Sequence, residues 1–111
     1  VAALVGVAGT VTSVTAVAVG VRDYRPDVTH GASLEVAQVR RVCETLLGQT
    51  REERARHQVI HPGRIDVIGA GALIWSRVVE RVAAATSITS TRTSEHDILD
   101  GIALDLLEHV P

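Results

Sequence analysis

The chain opens on seven residues, VAALVGV, that are apolar apart from one glycine, and a glycine-containing turn, Ala8-Gly9-Thr10, ends them. An unbroken apolar run of this length, closed by Gly, predicts a fully buried strand of the parallel type over residues 2–8. The next run, TVTSVTAVAV, supports two readings. Val14, Val17, Ala18 and Val21 fall on one helical face, whereas its β-branched content favours a strand and a hairpin. Residues 22–32, RDYRPDVTHGA, carry Pro26 and Gly31 among charges and predict a loop. Ser33 can then cap a helix with Val36, Val39, Cys43, Leu46 and Leu47 on its apolar face and Gly48 at its stop. TREE, residues 50–53, is a capping box with Thr50 at N-cap and Glu53 at N3, opening a short charged helix that ends near His57. The two together predict an exposed helical insert over 33–57, its charges forming a solvated face.

From Ile65 the positions Ile68, Ala72, Trp75, Val79 and Val82 line one face and Arg77, Glu80 and Arg81 the other, so a helix is predicted over 65–84. Its first half is apolar all round, which places its N-terminal end in contact on several sides. SITSTRT predicts a strand over 87–93. SEHD, residues 94–97, forms a second capping box, and Ile98, Ile102, Ala103, Leu106 and Val110 give a helix over 95–109 its buried stripe. Strand, second element, helical insert, helix, strand, helix is the order of an α/β layer with parallel strands. Two strands cannot cover a sheet, so missing chain of the same protein, or another copy in a homo-oligomer, is expected to complete it.

Composition narrows this picture. At 111 residues there is room for one core, and 46% hydrophobic residues suffice to build it. Phe, Met and Lys are absent, so Val, Ala, Ile and Leu must fill the interior. A net charge of −2 offers no basic field for nucleic acid. The lone Cys43 sits in an apolar helical pattern and reads as a buried hydrophobe of a reducing, cytoplasmic compartment. The five histidines show no metal-ligand spacing. Residues 1–21 carry no charge and are long enough to span a bilayer, yet one Leu among four Thr/Ser and three Gly, without a basic leader, fits buried elements better than a membrane span or signal. The start at Val1, without methionine, is what a piece of a longer protein would show.

Two patterns suggest chemistry. Gly69-Ala70-Gly71 after an apolar run resembles the start of a dinucleotide-binding turn, but the third glycine of that fingerprint falls on Ile74, and the helical stripe already runs through it. His61-Pro62-Gly63-Arg64 fixes the entry of the 65–84 helix and can present a bidentate arginine fork to a phosphate. Its alternatives are Arg64 paired with Asp66, or capping nearby carbonyls. His61 reads as a loop residue bonded to backbone.

VGVAGTVT (5–12), HPGRIDVIGAGAL (61–73) and SEHDILDGIA (94–103), in this order and spacing, closely resemble the C-terminal half of the exopolyphosphatase and guanosine pentaphosphate phosphohydrolase family. The resemblance spans essentially the whole chain. It implies an actin-like, ribonuclease H-like ATPase fold of two domains with a phosphate cleft between them, this chain being the C-terminal part of the second. It also makes the TVTSVTAVAV run a helix over 11–20.

On that resemblance the parent protein would be a magnesium-dependent hydrolase of polyphosphate or of the 5′-phosphate of guanosine pentaphosphate. Gly9, Thr10 and Arg64 would touch phosphate, and Ser94, Glu95 and His96 are secondary candidates. The family's glycine-rich loops, its water-activating carboxylate and its magnesium ligands lie upstream. No catalytic residue and no metal ligand are therefore expected here, and the chain by itself should be inactive. The alternative is a non-catalytic binding or oligomerisation module of the same fold; a dinucleotide-binding protein is third. Neither nucleic acid nor membrane is expected as a partner.

Overall fold

Ten apolar side chains that the sequence scatters over residues 14–79 meet in one cluster: Val14, Leu34, Val39, Cys43, Leu46, Ile60, Ile65, Ile68, Ala72 and Val79. The computed structural model describes residues 3–96 and builds this cluster from a small mixed sheet and the helices packed on it. The helix expected over 95–109 lies outside the described residues, as does Asp97 of the second capping box.

Strand β1, Val5–Gly6, leads directly into helix α1, Ala8–Val19, which ends where Gly20 takes a left-handed conformation (φ 83°) and returns its N–H to Ala16 and Val17. The β-branched run is thus helical, as the resemblance implied and its propensity opposed. Val11, Val14 and Ala16 are buried together with Ser13 and Thr15, because α1 touches the sheet and three further helices; burial on several sides outweighs a propensity cost of a few tenths of a kcal/mol per residue.

A short helix α2, Pro26–Thr29, interrupts the expected loop, and strand β2 follows at Ser33–Glu35. One expectation is corrected here. Ser33 does not cap a helix, since it lies in β2, and helix α3, Val36–Gly48, starts after Glu35 with no side-chain cap. The two expected strands do pair in parallel, and β2 joins them as a third, unexpected strand. The sheet order is β1-β3-β2, with β3 (Ser90–Thr93) parallel to β1 and antiparallel to β2, where Leu34 faces Thr91. A three-residue strand exists only through its partner, so no local pattern announced it.

Helix α4, Arg51–Ala55, opens with the expected capping box: the Thr50 N–H donates to Glu53 Oε1 at 2.9 Å and the Glu53 N–H to Thr50 Oγ1 at 3.2 Å. The bond from the Thr50 N–H, with the Thr50 hydroxyl adding, holds the Glu53 carboxyl below the usual carboxylate range. The insert is not an exposed hairpin, however. Helix α3 packs along helix α5, Ile68–Ala85, and Val39, Cys43 and Leu46 join Ile68, Ala72 and Val79 in the core. Leu47, expected on the apolar face, is exposed. Trp75 is half-buried against the same core.

β1 is an edge strand rather than a buried one: Val5 and Val7 are 53% and 45% exposed, and Gly6 between them packs under Val11 and Trp75. In the central strand β3, Thr91 and Thr93 point inward, and the Thr93 hydroxyl shares a buried 2.6 Å hydrogen bond with that of Thr15, tying α1 to the sheet.

Cys43 is 1% exposed, and burial, with the neighbouring Glu44 charge adding, raises its thiol to about 11. The thiolate is the reactive form. Cys43 should therefore resist a thiol-specific disulfide reagent in native buffer and react within minutes in denaturant; fast native labelling would contradict its burial.

Candidate functional site: a cleft at the strand ends

The parallel strands β1 and β3 end on the same edge of the sheet, the edge at which α/β folds hold ligands. A cleft of about 900 Å³ opens there. Ala8 and Gly9 line it beyond β1 and Glu95 beyond β3, together with residues 61–64 and with Tyr24, Arg25 and Thr29.

The floor is the start of α1. Its first backbone N–H groups have no partners within the helix, and no side chain caps them. Ala8 holds a left-handed φ of 73°, a conformation that costs a non-glycine residue about 1–2 kcal/mol, and it turns the chain abruptly from strand into helix. Above the turn lies the guanidinium of Arg64. A Cβ on Gly9 would collide with Cζ and both Nη atoms of Arg64, so the lack of a side chain at residue 9 admits the arginine. Arg64 ends a 3₁₀ turn, Pro62–Arg64, whose start is fixed by the Gly63 N–H donating to His61 Nδ1 at 3.0 Å. His61 thus has the backbone role expected of it. Asp66 does not pair with Arg64; it pairs with Arg51 at 2.6 Å, which lowers its carboxyl below the usual range. Among the described residues Arg64 forms no ion pair.

The six sequence candidates do not all meet. Gly9, Arg64 and Glu95 share the cleft. Thr10 turns away, and its hydroxyl packs 2.6 Å from the point that a Cβ on Gly71 would occupy, closing α1 onto α5. Ser94 accepts the His96 N–H at 3.1 Å and does not line the cleft. His96 lies edge-on to His30, ring centroids 4.7 Å apart. Sequence reading missed Arg25, Tyr24 and Thr29, which sit in the segment expected to be a plain loop. Its one signal was an arginine next to Pro26, a residue that fixes the turn.

Glu95 is the one carboxylate lining the cleft among the described residues, and both its oxygens accept hydrogen bonds, from Thr29 and Tyr24. No group of three or more His, Cys, Asp or Glu able to hold a metal occurs among the described residues. These residues do not fit a magnesium site. Gly69 and Gly71, the dinucleotide-like pair, lie inside α5 and face Arg54 and Thr10. Among the described residues no helix is long and apolar enough to cross a membrane.

A glycine-floored helix start beneath an arginine, set at the ends of parallel strands, is an arrangement whose chemistry suits an anionic group. The chain belongs to the Ppx/GppA phosphatase family, whose model matches residues 1–106. Exopolyphosphatase 2 of Mycobacterium tuberculosis is 41% identical to it over 102 residues, which are 92% of this chain and 32% of that protein. The chain therefore spans about a third of the length of the curated relatives it matches. The crystal structure of an exopolyphosphatase-like protein superposes with a TM-score of 0.91 at 44% identity, covering 95% of this chain and 34% of the other. The Aquifex aeolicus member of the Ppx/GppA family superposes at 0.80 and 26% identity over 98% of this chain and 35% of its own.

Proposed function

We propose that this chain forms the anion-holding wall of a phosphohydrolase within a longer protein, one that releases terminal phosphate from polyphosphate or the 5′-phosphate from guanosine pentaphosphate. The observation that carries the reading is the Arg64 guanidinium lying over Gly9 at the uncapped start of α1. Backbone N–H groups and a planar cation converging on one point suit a phosphoryl oxygen, and phosphoryl transfer depends on this kind of positioning and charge neutralisation. On this reading the water-activating base, and any metal the reaction uses, are supplied by other parts of the longer protein. On this reading the chain alone binds phosphate weakly and turns over nothing. The test is replacement of Arg64 in the whole protein.

A second reading, an assembly module of the same fold, rests on edge strand β1 with Val5 and Val7 open to solvent. It predicts that the 111-residue chain self-associates as its concentration rises. Light scattering that shows a monomer across the whole range would count against it.

A further inference from the structure

Glu95 is the second residue past β3, and among the described residues its bonds run to one segment, 24–30. Oε1 accepts from the hydroxyl of Thr29, and Oε2 accepts from the Tyr24 hydroxyl at 3.2 Å. The Glu95 N–H donates to His30 Nδ1 at 3.0 Å. Just behind these, the Gly31 N–H reaches Thr93 O at 2.7 Å and the Thr93 N–H reaches Ala32 O at 3.0 Å. One residue thus fastens positions 24, 29 and 30 to the end of the central strand. Between the fastened positions stands Arg25, which lines the same cleft as the 61–64 turn. Its guanidinium contacts Asp27 at 3.4 and 3.5 Å, the long limit for a hydrogen bond, in an ion pair whose members are both more than half exposed. Such a pair yields readily to a better anion.

We infer that Glu95 is a positioning residue: it clamps the 24–30 segment so that Arg25 faces the cleft as a second cation beside Arg64, and a polyphosphate chain is held at two points. The clamp rests on the phosphate-cleft reading for its ligand and on the three hydrogen bonds for its mechanics. The sign of a substitution separates it from the alternatives. A carboxylate that merely borders an anion site repels the anion, so removing it tightens binding. A carboxylate that holds a cation in place weakens binding when removed.

Two measurements on the whole protein decide the matter. The first is hydrogen–deuterium exchange without ligand, where Glu95→Ala raises uptake over residues 24–30 and Glu95→Gln, which keeps an acceptor oxygen, raises it far less. The second is calorimetric binding of inorganic tripolyphosphate. Glu95→Ala and Arg25→Ala each weaken it about tenfold, and the double variant is no weaker than either single one, because both remove the same contact. Glu95→Gln binds at least as tightly as the native protein. Should Glu95→Ala misfold, Tyr24→Phe and Thr29→Val each loosen one arm of the clamp and carry the same signs.

Unchanged exchange over 24–30, or tighter tripolyphosphate binding by Glu95→Ala, overturns the clamp. Equal loss of kcat in Glu95→Gln and Glu95→Ala, without a change in affinity, overturns it too and makes Glu95 a group that acts on substrate. Failure of tripolyphosphate to bind the native protein would overturn the cleft reading, and the exchange experiment would still decide the clamp.

Discussion

Replacing Arg64 by alanine in the whole protein is expected to lower kcat/KM on polyphosphate or guanosine pentaphosphate on the order of a hundredfold, the scale of losing one preorganised donor from a charge-stabilising site. Gly9 is the reason. Arg64 occupies the volume that any other residue at position 9 would fill, so its guanidinium lies at the start of α1. Asp66, two residues away, is held by Arg51 at 2.6 Å and does not draw the guanidinium off. Because Arg64 is exposed, water screens it until substrate closes the cleft, and much of the loss should therefore appear in KM. Arg64→Lys keeps the charge but not the fork and should fall between alanine and native. Gly9→Ala, which displaces the guanidinium without removing it, should approach the alanine variant. Native kinetics on both substrates for Arg64→Ala would remove the residue from the site.

The second large effect concerns stability, and its sign should reverse with context. Arg54 donates Nε–H to the Leu46 carbonyl at 2.8 Å and Nη2–H to that of Leu47 at 3.1 Å, closing the end of α3, while its guanidinium lies against α5 where Gly69 has no side chain. Charged hydrogen bonds of this kind contribute about 1.5–3 kcal/mol, and Arg54→Ala should cost about 2 kcal/mol in urea unfolding. A Cβ at Gly69 would stand 2.5 Å from Nη2 and 2.8 Å from Cζ of Arg54. Gly69→Ala should therefore destabilise the native protein by about 1 kcal/mol through displacement of that contact. In the Arg54→Ala background the obstacle is gone, and the same change should stabilise by up to about 1 kcal/mol, since alanine suits a helix better than glycine. Additive effects in this double-mutant cycle would show that Gly69 is not there to admit Arg54.

Much of the helical architecture could be read residue by residue because its causes are local. The Thr50–Glu53 capping box is two reciprocal bonds within four residues, and the α5 stripe of Ile68, Ala72 and Val79 is a 3.6-residue period seen directly in burial. Arg64 was legible through His61-Pro62-Gly63, where a stiff residue is followed by a permissive one. Strand β2 was not, since three residues carry no period, and their pairing with Thr91 is set more than fifty positions away. Leu47 was misplaced because its face of α3 meets solvent, a fact set by where α5 lies. Tyr24, Arg25 and Thr29 were missed for a related reason: polar loop residues have no signature until a distant carboxylate, Glu95, collects them.

The sequence by itself determined which segments carry apolar faces, where helices α4 and α5 take their shape, and that an arginine enters beside a glycine-broken helix, because side-chain spacing and capping act over a single turn. The tertiary structure decided that the β-branched run after Gly9 is a helix, that β2 runs antiparallel, and that Gly9 and Arg64, fifty-five positions apart, share one point. Those outcomes follow from burial on several sides, from strand pairing and from steric exclusion, each of which needs atoms that the chain brings together only when folded.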